Sequence, residues 1–224
     1  YVSGGLFLLL SALFLWLLPG WGNVFETNIA SLTPLFAMSP WLFLVLVPAV
    51  TMRMFAEEQR EGTLELLASR PVPIWGIVLG KYFASVVLVV LMLLPTVIFA
   101  LVLNEYVTST SSLDLGATLG SYFGLLLLGA VYASIGLFAS TLTSNSVVAF
   151  LLGVLICVVV YVGFSEAALL FSGNAQYALS WLGIEEHYRS IRRGVVDTRD
   201  VLYFFSVVCL FLYFSVHTLK MRRR

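Results

Sequence analysis

RMFAEEQREGTLELLASRPVPIW, residues 53–75, is the stretch on which the reading of this chain turns. It is charged through its first half and stands between two apolar runs, residues 41–54 and 74–103. Runs approaching or exceeding about 20 mostly apolar residues are long enough to cross a bilayer as helices. The stretch therefore reads as a polar connector between two membrane spans. Glu57, Glu58, Gln59, Arg60 and Glu61 prolong the upstream helix beyond the membrane, and Gly62 is a natural helix stop. Thr63 is placed to cap a second helix, with Glu65 in its first turn at the positive end of the dipole. Leu64, Leu66, Leu67 and Ala68 give that helix apolar surface. Pro71 and Pro73 end it, because Arg70 before a proline is pushed out of the helical region. The expectation is a two-turn helix roughly 10 Å long, at 1.5 Å per residue, lying across the membrane surface. A plug braced in this way suits a groove on a soluble partner; as a polar connector alone it would simply be solvated.

The rest of the chain is consistent with that setting. Its 224 residues are 60% hydrophobic and 11% charged, and mean hydropathy is +1.00. Soluble domains are about 45–50% apolar and about 25% charged. The fold class expected is an all-α membrane protein, one permease-sized domain over residues 1–224 with six spans, approximately 2–18, 41–54, 74–103, 115–140, 147–164 and 201–219. The chain opens at Tyr1 beside the first apolar run, and no small-residue cleavage pattern follows, so a retained first span is expected. Pro48 is expected to kink the second span.

Residues 165–199 break the pattern. Glu166 interrupts the apolar run, and 167–171 and 177–182 are too short to cross a bilayer. With the Gly173-Asn174 turn they read as a re-entrant or interfacial hairpin, followed by the charged segment EEHYRSIRRGVVDTRD, residues 185–200. Asp197 and Asp200 read as the N-cap and first-turn acid of the last span.

Orientation follows from the bases. Arg53, Arg60, Arg70 and Lys81 flank the connector, and Lys220, Arg222, Arg223 and Arg224 close the sequence, whereas loops 19–40 and 104–114 carry none. The connector and both termini are thus expected in the cytoplasm. Arg189, Arg192, Arg193 and Arg199 fall on the outer side, balanced by Glu185, Glu186, Asp197 and Asp200.

No catalytic constellation is visible: Walker A, H-E-x-x-H and G-x-S-x-G are all missing. Cys157 and Cys209 lie in apolar runs, and His187 and His217 stand apart, so no metal site is expected. Zero net charge gives no reason to expect a nucleic-acid partner. Glu166 is assigned to the membrane interface in preference to a transport path, and Lys81 to the cytoplasmic end, where it can snorkel. Gly120, Gly124, Gly129, Ala133, Gly136 and Ser140 pair small residues four apart on the fourth span (120/124, 129/133 and 136/140), which permits close helix approach. Packing within the subunit is preferred, and a dimer contact stays open.

The pattern Glu58, Glu61, Gly62, Thr63, Glu65, Leu67 and Pro71, then Ile77, Leu79, Gly80 and Lys81, resembles the second-to-third span connection of type-two ABC exporter permeases. With LDLGATLGSYFGLLLLGAVYASIGLFASTLT and LGIEEHYRSIRRGVVDTRDVLYF, the likeness extends over nearly the whole chain to the gliding-motility-associated permease branch (the Gld F subunit type) of Bacteroidota. The family pattern places a cytoplasmic interface segment ahead of the first span, which here begins beside Tyr1. The resemblance implies a bacterial inner-membrane permease in which Glu57, Glu58, Glu61, Gly62, Thr63, Leu64, Glu65, Leu66, Leu67 and Pro71 couple to a cytoplasmic ABC ATPase holding ATP and Mg. It also implies a second permease copy, or an auxiliary membrane subunit with a periplasmic domain. The other reading is a non-transporting scaffold of an envelope assembly. Glu185, Glu186, His187, Tyr188, Arg189, Arg192 and Arg193 are expected to form an outer surface for partners.

Overall fold

The computed structural model describes residues 32–63, 73–98, 100–101 and 115–222, with Gly5 alone ahead of them. Every regular element among the described residues is helical. Five helical runs are long and apolar enough to cross a membrane: Leu35–Arg60, Ile74–Thr96, Gly116–Leu142, Ser146–Ala168 and Thr198–Arg222. They coincide with the second to sixth expected spans; the first, residues 2–18, lies outside the described residues apart from Gly5.

The second span starts earlier than expected. Helix α1 covers Thr33–Thr51 and runs through Met52, whose dihedrals are helical, into α2 (Arg53–Arg60). Pro40, which reads as the end of a loop, is buried inside α1. Pro48 also lies within α1 without ending it, and the Met52 N–H reaches the Pro48 carbonyl at 2.8 Å. Beside it the Thr51 hydroxyl donates to the Val47 carbonyl at 3.0 Å. Without water, hydroxyls in an apolar helix must find acceptors in their own backbone. Ser39, Ser121 and Ser215 do so through the carbonyls of Leu35, Ala117 and Phe211.

Helix α3 covers Ile74–Leu93 and tightens to a 3₁₀ turn over Leu94–Thr96, where Pro95 cannot donate. Helix α4 (Leu115–Leu142) is the axis of the bundle. It packs on α1, α3, α5 (Ser146–Val158) and α9 (Thr198–Arg222). In its most apolar window 78% of residues are buried, against 33%, 22% and 33% in the third, fifth and sixth spans. Those three leave stripes such as Phe83, Val87, Leu91, Leu94 and Ile98 exposed, as lipid-facing helices do.

The small residues of α4 explain its central place. A Cβ on Gly129 would run into Val89 of α3, and one on Gly136 into Thr51 of α1. On Gly124 it would strike Ile191, and on Gly120 it would come within 2.9 Å of the Gly194 carbonyl. Ala133 is fully buried. These close approaches all lie within one chain.

The fifth span carries on past its expected end. After α5 the backbone widens into a π turn over Val159–Gly163 and continues as α6 (Phe164–Ala168), so Glu166 stands exposed on an unbroken helical run. A turn through Gly173, at φ +73°, then leads to α7 (Asn174–Leu182) and α8 (Ile184–Ile191). Of the hairpin expected from the sequence, residues 167–168 close α6 at the end of the fifth span's helical run and 177–182 lie in α7, with α8 beyond them.

Candidate functional site

Consecutive spans run antiparallel, so the bundle has a basic end and a hairpin end. At the basic end, α2 carries the connector's charges. Glu58 pairs with Lys81 of α3 at 2.6 Å, and the Lys81 ammonium also donates to the Met54 carbonyl and lies 4.3 Å from the centre of the Phe55 ring. Lys81 therefore turns inward, where the sequence alone let it snorkel. The second carboxylate oxygen of Glu58 is buried with no hydrogen-bond partner among the described residues. Glu57 pairs with Arg53 at 3.4 Å on an exposed face, and Glu61 is exposed.

One residue on later, Gln59 joins three helices. Its amide donates to the carbonyls of Ser140 and Thr141 at 3.4 and 3.1 Å, and its oxygen accepts from Arg222 at 2.5 Å. Arg222 also donates to the Leu142 carbonyl at 2.6 Å. The last carbonyls of a helix have no partner in that helix. Side chains of α2 and α9 supply the missing donors for α4, and a cation at that position suits the negative end of the dipole. No local motif marks Gln59 for this role; the only signal was an amide in a charged run that extends a span.

The connector leaves this platform at Gly62, whose φ of +70° ends α2 as expected. The Thr63 hydroxyl donates back to the Glu58 carbonyl at 3.3 Å, and the residues it was expected to cap lie outside the described residues. Leu64, Glu65, Leu66, Leu67 and Pro71 lie outside the described residues.

At the hairpin end, α8 corrects the expected partner surface. Ile184, His187, Tyr188 and Ile191 recur at helical spacing and form its buried face, so His187 and Tyr188 point into this chain and not towards a partner. The Tyr188 hydroxyl donates to the Phe36 carbonyl at 2.7 Å, and burial pushes its phenol well above the ordinary value. His187 meets Asp200 at 2.7 Å through Nδ1 and the Trp181 carbonyl at 2.9 Å through Nε2. Its ring stacks on Tyr203 at 3.9 Å. Asp197 caps α9 by accepting the Arg199 N–H at 3.0 Å, and Asp200 in the first turn is buried on His187. Glu185 and Glu186 stand half-exposed and hold Arg189 at 3.1 and 3.3 Å; Arg192 is half-buried and Arg193 exposed. The Ser121 hydroxyl, shared with the Ala117 carbonyl of its own helix, also lies 2.9 Å from the Arg192 carbonyl of the loop after α8.

Among the described residues, no group of three or more His, Cys, Asp or Glu side chains is placed to hold a metal ion. What remains is an apolar bundle with a polar platform at one end and a helical hairpin at the other. No curated protein matches the sequence. Residues 38–219 match the family model described as ABC-2 family transporter protein, and with that match over most of its length the chain belongs to this family, as a multi-pass permease subunit of an ABC transporter.

Proposed function

We propose that this subunit couples ATP hydrolysis in a separate cytoplasmic ABC ATPase to export across a bacterial inner membrane, through the connector that leaves α2. In this reading the basic end faces the cytoplasm and residues 55–73 dock on the ATPase, which holds ATP and Mg. The observation that carries it is the Gln59 junction, which joins the start of the connector to the ends of α4 and α9. A push on the connector is thereby delivered to the central helix and the last span together. The resemblance to the gliding-motility branch supports a transporter that serves surface movement, paired with a second copy or an auxiliary membrane subunit. An export pathway would form between two such units.

Gln59→Ala tests the reading in the complex with the cognate ATPase. The complex is expected to assemble while substrate-linked ATP hydrolysis falls several-fold. Hydrolysis and transport both at the unaltered level would sink it. A scaffold would instead tolerate an inactive ATPase and lose partners when Arg189 or Arg193 is replaced.

A further inference from the structure

Between the end of the fifth span and the hairpin lies a cavity of about 240 Å³. One side is apolar, formed by Ala168 and Leu169. Its polar lining residues are Gln176, Tyr177 and Ser180 of α7 and Glu186 of α8, whose carboxylate also pairs with Arg189 at 3.3 Å. Ser165 also lines it, and the buried Ser165 hydroxyl has no hydrogen-bond partner among the described residues. Glu186 is the one charged residue in the lining, and its neighbour Arg189 is shared with Glu185, the nearer of its two partners.

This lining is rich in acceptors and carries no cation. An ammonium group presents three N–H donors and no acceptor. The carboxylate, the serine hydroxyls, the Gln176 amide oxygen and the Tyr177 phenol can accept those donors, and an aromatic face adds attraction for a cation. A phosphate or carboxylate would meet Glu186 with no lining charge to offset it. The apolar side runs on into Leu169, Leu170 and Phe171, which are 69%, 85% and 52% exposed. Such side chains at the end of a span lie where acyl chains meet headgroups.

We propose that this cavity binds a primary ammonium group, supplied by the headgroup of an aminolipid standing beside the fifth span. In the orientation proposed above, that lipid belongs to the outer leaflet. The binding itself depends on neither the ATPase nor the direction of transport.

The test uses the full chain in nanodiscs of an equimolar mixture of phosphatidylethanolamine, phosphatidylcholine and phosphatidylglycerol. Lipids retained after gentle detergent extraction are identified by native mass spectrometry. Phosphatidylethanolamine is expected in excess over both others, because the choline headgroup has no N–H donor and the glycerol headgroup no positive charge. Glu186→Gln is expected to lower its retention by up to about fivefold, the upper end for a partly exposed ion pair. Glu166→Gln removes a neighbouring exposed acid that does not line the cavity and shares no partner with Glu186, and it is expected to leave retention unchanged. Equal retention of the three lipids overturns the proposal, as does a pair of variants that both lose the preference or both keep it. If ethanolamine at the same concentration as the lipid is retained in its place, the ligand is a free amine and the lipid source is wrong; a site that keeps its lipid supports it.

Discussion

At the basic end, long polar side chains reach between helices: Gln59 to α4, Arg222 to Gln59 and Leu142, and Lys81 to Glu58. At the hairpin end, backbone lies against backbone at Gly120 and Gly194, and rings lie against rings at His187, Tyr203 and Trp181. Long side chains adjust their reach by changing rotamer, so the first kind of contact survives a shift of helices. Close backbone packing has no such slack, because close-packed interiors do not deform continuously. The contacts made by Gln59, Arg222 and Lys81 thus tolerate a shift of helices, and the approach of Gly120 to Gly194 does not.

That contrast breaks first at Gly194. Its φ is +83°, and a Cβ there would collide with Ala117. Gly194→Val combines left-handed strain with overpacking and is expected to cost about 3 kcal/mol. Thermal unfolding in detergent should show it, and a melting temperature unchanged from wild type would refute rigid packing there. Next comes Asp200→Ala, which leaves His187 buried without its carboxylate. A loss of about 2 kcal/mol is expected, with Asp200→Asn losing less because it keeps a hydrogen-bonding group. The smallest effect on stability is expected from Glu58→Gln. The pair with Lys81 is only partly buried, with side chains 27% and 20% exposed, so about 1 kcal/mol is lost. If that variant also weakens coupled ATP hydrolysis far more than its melting temperature implies, the contrast between the ends is sharpened. If its melting temperature falls as far as that of Gly194→Val, the contrast fails.

The spans described from Ile74 onward were legible because apolar length is written directly in composition. The start of the second span was not, because Pro40 reads as a loop residue by the rules of soluble helices. The Phe36 carbonyl, which Pro40 cannot serve with an N–H, accepts from the Tyr188 hydroxyl instead. The widened turn at Val159–Gly163 left no trace, since an added residue in an apolar run does not alter hydropathy. In α8 the charges of Glu185, Glu186, Arg189 and Arg192 dominated the reading and hid the buried stripe of Ile184, His187, Tyr188 and Ile191. Gln59 was legible as part of a helical extension, but its acceptors lie 81 and 82 residues away, beyond the reach of any local pattern.

The closure of α4 by Arg222 also sets a timetable for biosynthesis. Gln59 and Arg222 are 163 residues apart, and Arg222 is made after every other span described. At about 5–20 residues per second, Gln59 waits on the order of ten to thirty seconds on the ribosome for its partner. Until then the end of α4 lacks one of its two donors. The junction assigned to coupling is therefore completed only when the last span is in place, so an ATPase that reads this surface would meet it finished only on a chain whose bundle has closed.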